Sequence, residues 1–270
     1  MVRHIAVAGV TLAVVVASAG FVMQASVNTE AGGSTSPRDE TRAGEWVTIP
    51  VPPEDTIRAW VAQPGRTDRA PIVLVIHDEA GLDEWVRSKV DDLAAQGFVA
   101  VAPDLLTGVE LAGSGAAAVR NALESLDDDL VQRRIWAAGV WARALPTTTD
   151  RYGVLGFGWG GSVAFGHASR DAELGAAVVY DGAGPRPEYL RTTYAPILGL
   201  YAGEAEALTA EAAGVRMALE RMGRTLDVRT FDGAEYGFHR NQSEAGAGGA
   251  GARAWAEAMS WLRMHLDASD

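Results

Sequence analysis

The sequence predicts an α/β protein with a mostly parallel central sheet and helices on both of its faces. Three observations carry that expectation. Pro71-Ile72-Val73-Leu74-Val75-Ile76 is an unbroken apolar run, as expected of a strand covered on both sides rather than one. Strand-like and helix-like segments alternate along most of the chain, the rhythm of crossover connections between parallel strands. Finally, Gly156-Phe157-Gly158-Trp159-Gly160-Gly161 joins a short apolar run to a helical one through closely spaced glycines, which let a strand turn abruptly into a helix.

Taken in order, residues 46–51 and 57–62 read as a hairpin pair, and 71–76 as a central strand. Residues 85–96 have apolar positions at helical spacing, with Gly97 as the stop, and 99–102 form the next strand. Helices are expected over 116–126 and 130–145. Tyr152-Gly153-Val154-Leu155 is the strand that enters the glycine turn, and Ser162-Val163-Ala164-Phe165-Gly166 starts the helix that leaves it. Strands at 176–180 and 197–201, a helix at about 211–222, a strand at 226–231 and a helix at 253–266 complete the chain. The Gly/Ala-rich stretch 245–252 reads as a loop. It is not a phosphate cradle, because no strand precedes it.

With 270 residues, 48% of them hydrophobic, the chain can bury one large core or two modest ones. A net charge of -12 excludes a nucleic-acid surface, which needs an excess of Lys and Arg. The absence of cysteine excludes disulfides, thiolate metal sites and a thiol nucleophile. No His/Asp/Glu cluster has ligand spacing, so neither a metal nor another cofactor is expected.

The N-terminus speaks to location. A short basic start, Met1-Val2-Arg3-His4, precedes an uncharged stretch over 5–23, and Ala17-Ser18-Ala19 offers small residues for cleavage. Residues 1–25 are therefore expected to be a signal peptide or an N-terminal membrane anchor, the stretch being close to spanning length. Residues 26–44 read as a flexible linker and 45–268 as the folded domain. The expected location is extracytoplasmic, secreted or periplasmic, or tethered to the membrane through this segment alone.

Several blocks in a fixed order carry a family resemblance. They are the segment 72–87 (IVLVIHDEAGLDEWVR), the segment 95–105 (AQGFVAVAPDL), the glycine turn, the 196–203 strand and the 233–238 loop. Over 46–266 the chain resembles the dienelactone hydrolase family, which implies the α/β-hydrolase fold and a Cys-His-Asp triad acting on esters or lactones. The resemblance places the nucleophile at Gly158, the acid at Ala205 and the histidine at Tyr236. Glycine cannot form an acyl intermediate and alanine can orient nothing. Tyrosine, with a pKa of about 10, is a poor base at neutral pH. All three losses fall in separate blocks. Glycine at the turn also adopts positive φ without the strain that a nucleophile there would bear.

The remaining candidates for a pocket are Asp78, Glu79, Arg87, Trp159, Tyr236 and His239. Asp78 matches the family's pocket acid, or else caps the following turn, and Glu79 is its neighbour in the acidic loop. Arg87 is expected as an internal ion-pair partner or a carboxylate clamp. The Trp159 backbone N–H would supply half of an oxyanion hole, with the indole expected either as pocket lining or as plain core. His239 lies on the same loop as Tyr236 and is expected either as a substitute base or as a histidine at the surface or behind the residues that line the pocket. Ser162, in the first helical turn, is expected in helix packing, and His77 as a hydrogen-bonded core residue.

Three readings of function follow. The first is a catalytically inactive protein that retains ligand binding or interaction, with a small ester, lactone or carboxylate as the candidate ligand. The second is an active hydrolase with relocated residues, using Asp78 or His239 to activate water. A purely structural role with a collapsed pocket is a third.

Overall fold

The computed structural model describes residues 44–241 and 249–267. The expected signal or anchor segment, the linker up to residue 43, and residues 245–248 of the Gly/Ala stretch lie outside the described residues. Among the described residues, no helix is long and apolar enough to cross a membrane.

Eight strands form one sheet in the order β1-β2-β4-β3-β5-β6-β7-β8. They are β1 Glu45–Val51, β2 Asp55–Ala62, β3 Ala70–Ile76, β4 Val99–Pro103, β5 Thr148–Phe157, β6 Ala176–Tyr180, β7 Ile197–Ala202 and β8 Leu226–Phe231. The β1–β2 and β2–β4 pairs are antiparallel and all the others parallel. The helices are α1 Glu84–Ala95, α2 Ala116–Glu124, α3 Asp128–Arg143, α4 Trp159–Ala168, α5 Glu206–Glu220 and α6 Ala250–Leu266.

The alternation of side chains explains the unbroken apolar run in β3. Ile72, Leu74 and Ile76 pack into one core with Ile135 and Ala138 of α3 and Phe165 of α4. Val73 and Val75 point the other way, into a second core with Val90 of α1 and Leu262 of α6. Each face is thus sealed by helices. Burying one such side chain contributes roughly 1.5–3 kcal/mol, so a charge anywhere in this strand would be costly.

Local signals set the helix ends. The Asp83 carboxylate accepts from Val86 N at 3.1 Å to start α1, and Gly97 follows the helix at φ +97°. Asp127 caps α3 through Leu130 N at 2.8 Å.

Three boundaries differ from the sequence expectation. α5 starts at Glu206, directly after the β7 turn, rather than near 211. α6 starts at Ala250, within the stretch expected to be loop, since Ala250 packs into the second core and extends the helix. β5 runs over ten residues rather than four. Its glycines do not break it, because they permit close approach. A Cβ on Gly156 would lie 2.0 Å from Gly160 O of α4.

Between β4, β3 and β5 the strand order reverses, since β4 lies on one side of β3 and β5 on the other. Crevices form at the carboxyl ends of strands at such a point. The chain leaves β3 at His77-Asp78-Glu79 and leaves β5 at Gly158, which brings the candidate residues to that crevice.

Candidate functional site

Gly158 is the pivot between β5 and α4, with φ +52° and ψ −116°. Its N–H donates to Tyr180 O at 2.9 Å, and its carbonyl accepts from Ser162 N at 3.2 Å, so both sides of the turn are fixed. No side chain of its own projects there, but another residue's does. A Cβ built on Gly158 would meet Glu79 Oε2 at 2.6 Å and Tyr236 Oη at 2.8 Å. The Trp159 N–H, the expected oxyanion donor, donates to Glu79 Oε1 at 3.0 Å. The Tyr236 hydroxyl donates to the same oxygen. Glu79 therefore stands where a nucleophile's side chain would begin, and it holds the backbone donor that an oxyanion would use.

Burial, then the hydrogen bond to Glu79 and that carboxylate's charge, push the Tyr236 phenol well above its ordinary range. It stays protonated and remains a donor. The carboxylate can only accept, so the cluster is a satisfied acceptor between two donors.

Asp78 goes elsewhere. Its Oδ1 accepts from Ala80 N at 2.9 Å and from Arg240 Nη2 at 2.7 Å, while Oδ2 receives Arg240 Nε and lies 3.3 Å from His239 Nε2. Arg240 also donates to Asp83 Oδ2 at 2.8 Å. Burial alone would raise the Asp78 pKa. The bonds from His239, Arg240 and Ala80 outweigh it and hold the carboxyl well below the usual range. Of the two acids in this loop, Glu79 rather than Asp78 reaches the elbow. Asp78 instead caps its own turn and ties the loop to Arg240, a residue the sequence reading had not singled out.

His239 has a side chain only 3% exposed. Its ring stacks on Phe157 at 5.0 Å between centroids and lies close to Trp85 and Tyr180. Nε2 faces Asp78, and Nδ1 has no hydrogen-bond partner among the described residues. A histidine–carboxylate pair therefore exists, packed against aromatic side chains of the second core.

Arg87 is not the internal ion-pair partner expected. Its guanidinium lies 5.3 Å from the Trp60 ring, its Nε has no hydrogen-bond partner, and it forms no ion pair among the described residues. Packing on β2, away from the crevice, satisfies its charge through the indole face.

Ala205 precedes α5 as its cap residue and offers no side-chain bond. Ser162 Oγ accepts from Ala183 N at 2.9 Å and is not paired with a histidine. His77 is fully buried, accepting from Leu105 N at Nε2, 3.4 Å, with Nδ1 3.1 Å from Asp78 O. That pattern puts its proton on Nδ1, and burial lowers its pKa so that the ring is neutral. The Trp159 indole stacks on it at 5.8 Å.

Sequence reasoning missed Asp181. It follows β6 with φ +47°, the one non-glycine residue with positive φ among the described residues. Oδ1 accepts from Ala202 N at 2.7 Å and Oδ2 from Gly237 N at 3.0 Å. One buried carboxylate thus joins the end of β7 to the late loop, the two places where the acid and histidine positions lie. Burial raises its pKa, and the two backbone donors offset this in part. The available signal was an aspartate between an apolar strand and a glycine, where an Asp can take the left-handed region.

Comparison with known proteins places this geometry in context. A sequence profile of the dienelactone hydrolase family matches residues 57–266. A Yersinia pestis protein named "Putative carboxymethylenebutenolidase" is 25% identical over 226 residues, covering 78% of this chain and 85% of that one. A Bradyrhizobium protein named "Probable 2-oxo-3-(5-oxofuran-2-ylidene)propanoate lactonase" is 28% identical over 243 residues, 84% of this chain and 96% of its own. The crystal structure of a dienelactone hydrolase from Anabaena variabilis is similar with a TM-score of 0.64 at 19% identity, over 83% of this chain and all of that one. At that identity the likeness is one of fold.

Proposed function

The chain belongs to the dienelactone hydrolase family, and from that premise we propose that it is a non-catalytic member, a binding or interaction protein working outside the cytoplasm. The observation that carries the reading is the Glu79 carboxylate at the elbow, accepting from Trp159 N and Tyr236 Oη above a glycine. An ester or lactone carbonyl could take the oxyanion donor only by displacing an ion held by two charge-assisted hydrogen bonds.

With the Glu79 carboxylate engaged by both donors, no free nucleophile stands at the turn. The neighbouring groups are a glycine, a protonated phenol and a backbone amide. Hydrolysis by relocated residues would draw on Glu79 itself or on the His239–Asp78 pair, and that imidazole is packed against Phe157 and Trp85 with its side chain only 3% exposed. The uncharged stretch over 5–23 and its small-residue cleavage signal support placement outside the cytoplasm. The names of the relatives make esters, lactones and their carboxylate products the candidate ligand class.

The test is hydrolysis of p-nitrophenyl esters and a dienelactone by the full chain. The expected rate is that of buffer. Turnover that disappears in Glu79→Gln or His239→Ala would overturn the reading.

A further inference from the structure

Between α3, α4 and the segment after β6 lies a cavity of about 260 Å³ whose lining includes neither Gly158, Glu79 nor Tyr236. Its apolar part is made by Leu126, Val131, Val163 and Trp159. Four charged residues line it as well: Glu124 at the end of α2 and Asp128 at the start of α3, Arg170 just beyond α4 and Arg186 after β6. None of the four is ion-paired, to one another or to any other described residue. Arg170 instead lies over the Tyr189 ring at 5.1 Å, which holds its guanidinium at the cavity. Ser162 lines the same space. Its Oγ already accepts from Ala183 N, so the hydroxyl proton is available to a ligand.

We propose that this cavity binds a small zwitterion, an apolar amino acid or a dipeptide. An anion by itself would be drawn to Arg170 and Arg186 but repelled by Glu124 and Asp128, and a cation would meet the reverse. A ligand carrying both signs pairs with both sets. Its carboxylate faces the two guanidiniums and the Ser162 hydroxyl, its ammonium faces the two carboxylates, and its side chain lies on Leu126, Val131 and Val163. The size agrees. Cavities for drug-sized ligands span about 300–1,000 Å³, and this one is slightly smaller. Binding here is independent of whether the elbow turns over esters.

Isothermal titration of the full chain with L-leucine and leucyl-leucine tests the proposal, with N-acetyl-L-leucine and L-leucinamide as probes that each lack one charge. The expected result is saturable binding of the zwitterions, with each single-charge analogue weaker by about fivefold or more, the size of a ~1 kcal/mol charge contact. Arg186→Ala and Glu124→Gln, both at exposed positions and checked for folding by circular dichroism, should weaken L-leucine to a similar extent. Arg216→Ala, at an exposed charge on α5 that does not line the cavity, should leave it unchanged. No saturation up to about 10 mM, a weak Kd by any standard, would overturn the proposal. So would analogues that bind as well as L-leucine, or affinity that follows Arg216 rather than Arg186 and Glu124.

Discussion

Asp78 and Glu79 are adjacent acids at the end of one strand, and they have opposite fates. Asp78 turns inward, where its side chain is 5% exposed and is bound by Arg240, His239 and its own turn. Glu79 turns outward to the elbow, where it meets one backbone amide and a half-exposed tyrosine. The inner cluster is a clamp that fixes the late loop to the start of α1. The outer one is a latch across the glycine of the turn. The contrast teaches that burial, more than charge, decides which of two similar carboxylates the fold depends on.

The largest effect should come from breaking the clamp. Arg240→Ala strands the Asp78 carboxylate without its main partner, and stability should fall by roughly 3–5 kcal/mol in urea unfolding. The pH dependence has a defined sign. Asp78 has its folded pKa depressed, so its contribution is complete above the unfolded value of about 3.9 and is lost as pH falls below it. Arg240→Ala should flatten that acid limb. A variant as stable as the parent would mean that the clamp is incidental.

An intermediate effect is expected at the turn. Gly158→Cys places a Cβ against Glu79 at φ +52°, and should cost roughly 1–3 kcal/mol, read as a shift in the denaturation midpoint. It should confer no ester hydrolysis by itself. Gly158→Cys with Ala205→Asp and Tyr236→His should exceed every single and double change, because the triad acts as a unit and the Tyr236 replacement also removes a donor from Glu79. A folded triple variant no faster than the parent would show that the crevice no longer admits the substrate.

The smallest effect belongs to the latch. Glu79→Gln should change stability by no more than about 1 kcal/mol, since one partner is half exposed and the other is an amide that water can reach once the side chain moves. Amide exchange at Trp159 should nevertheless speed up. Unchanged exchange would mean that Glu79 does not guard that donor.

Much of this architecture is legible from local pattern. The unbroken run at 71–76, the alternation of 46–51 with 57–62, and the glycines of the elbow each reflect a rule that acts within a few residues. The ends of α5 and α6 were less legible, because short polar or small-residue stretches join a helix only when tertiary packing favours it. In the site, the sequence could name the glycine of the turn but not the side chain that covers it. Glu79 and Asp78 are indistinguishable as letters, and only the direction of each side chain separates latch from clamp. Arg240 and Asp181 carried no periodic signal, and the partners they hold lie 162 and 56 residues away in the chain.

By itself the sequence determined the fold class, the family and the absence of side-chain chemistry at Gly158 and Ala205. These depend on hydrophobic period, on glycine's conformational range and on which atoms a residue possesses, all properties that travel with the chain. Only the tertiary structure decided that a carboxylate fills the elbow, that His239 is packed against Phe157, and that four unpaired charges surround a cavity beside α4. Those outcomes depend on which groups meet across distant loops. Such meetings are set by the packing of the whole sheet and its helices, and no local pattern encodes them.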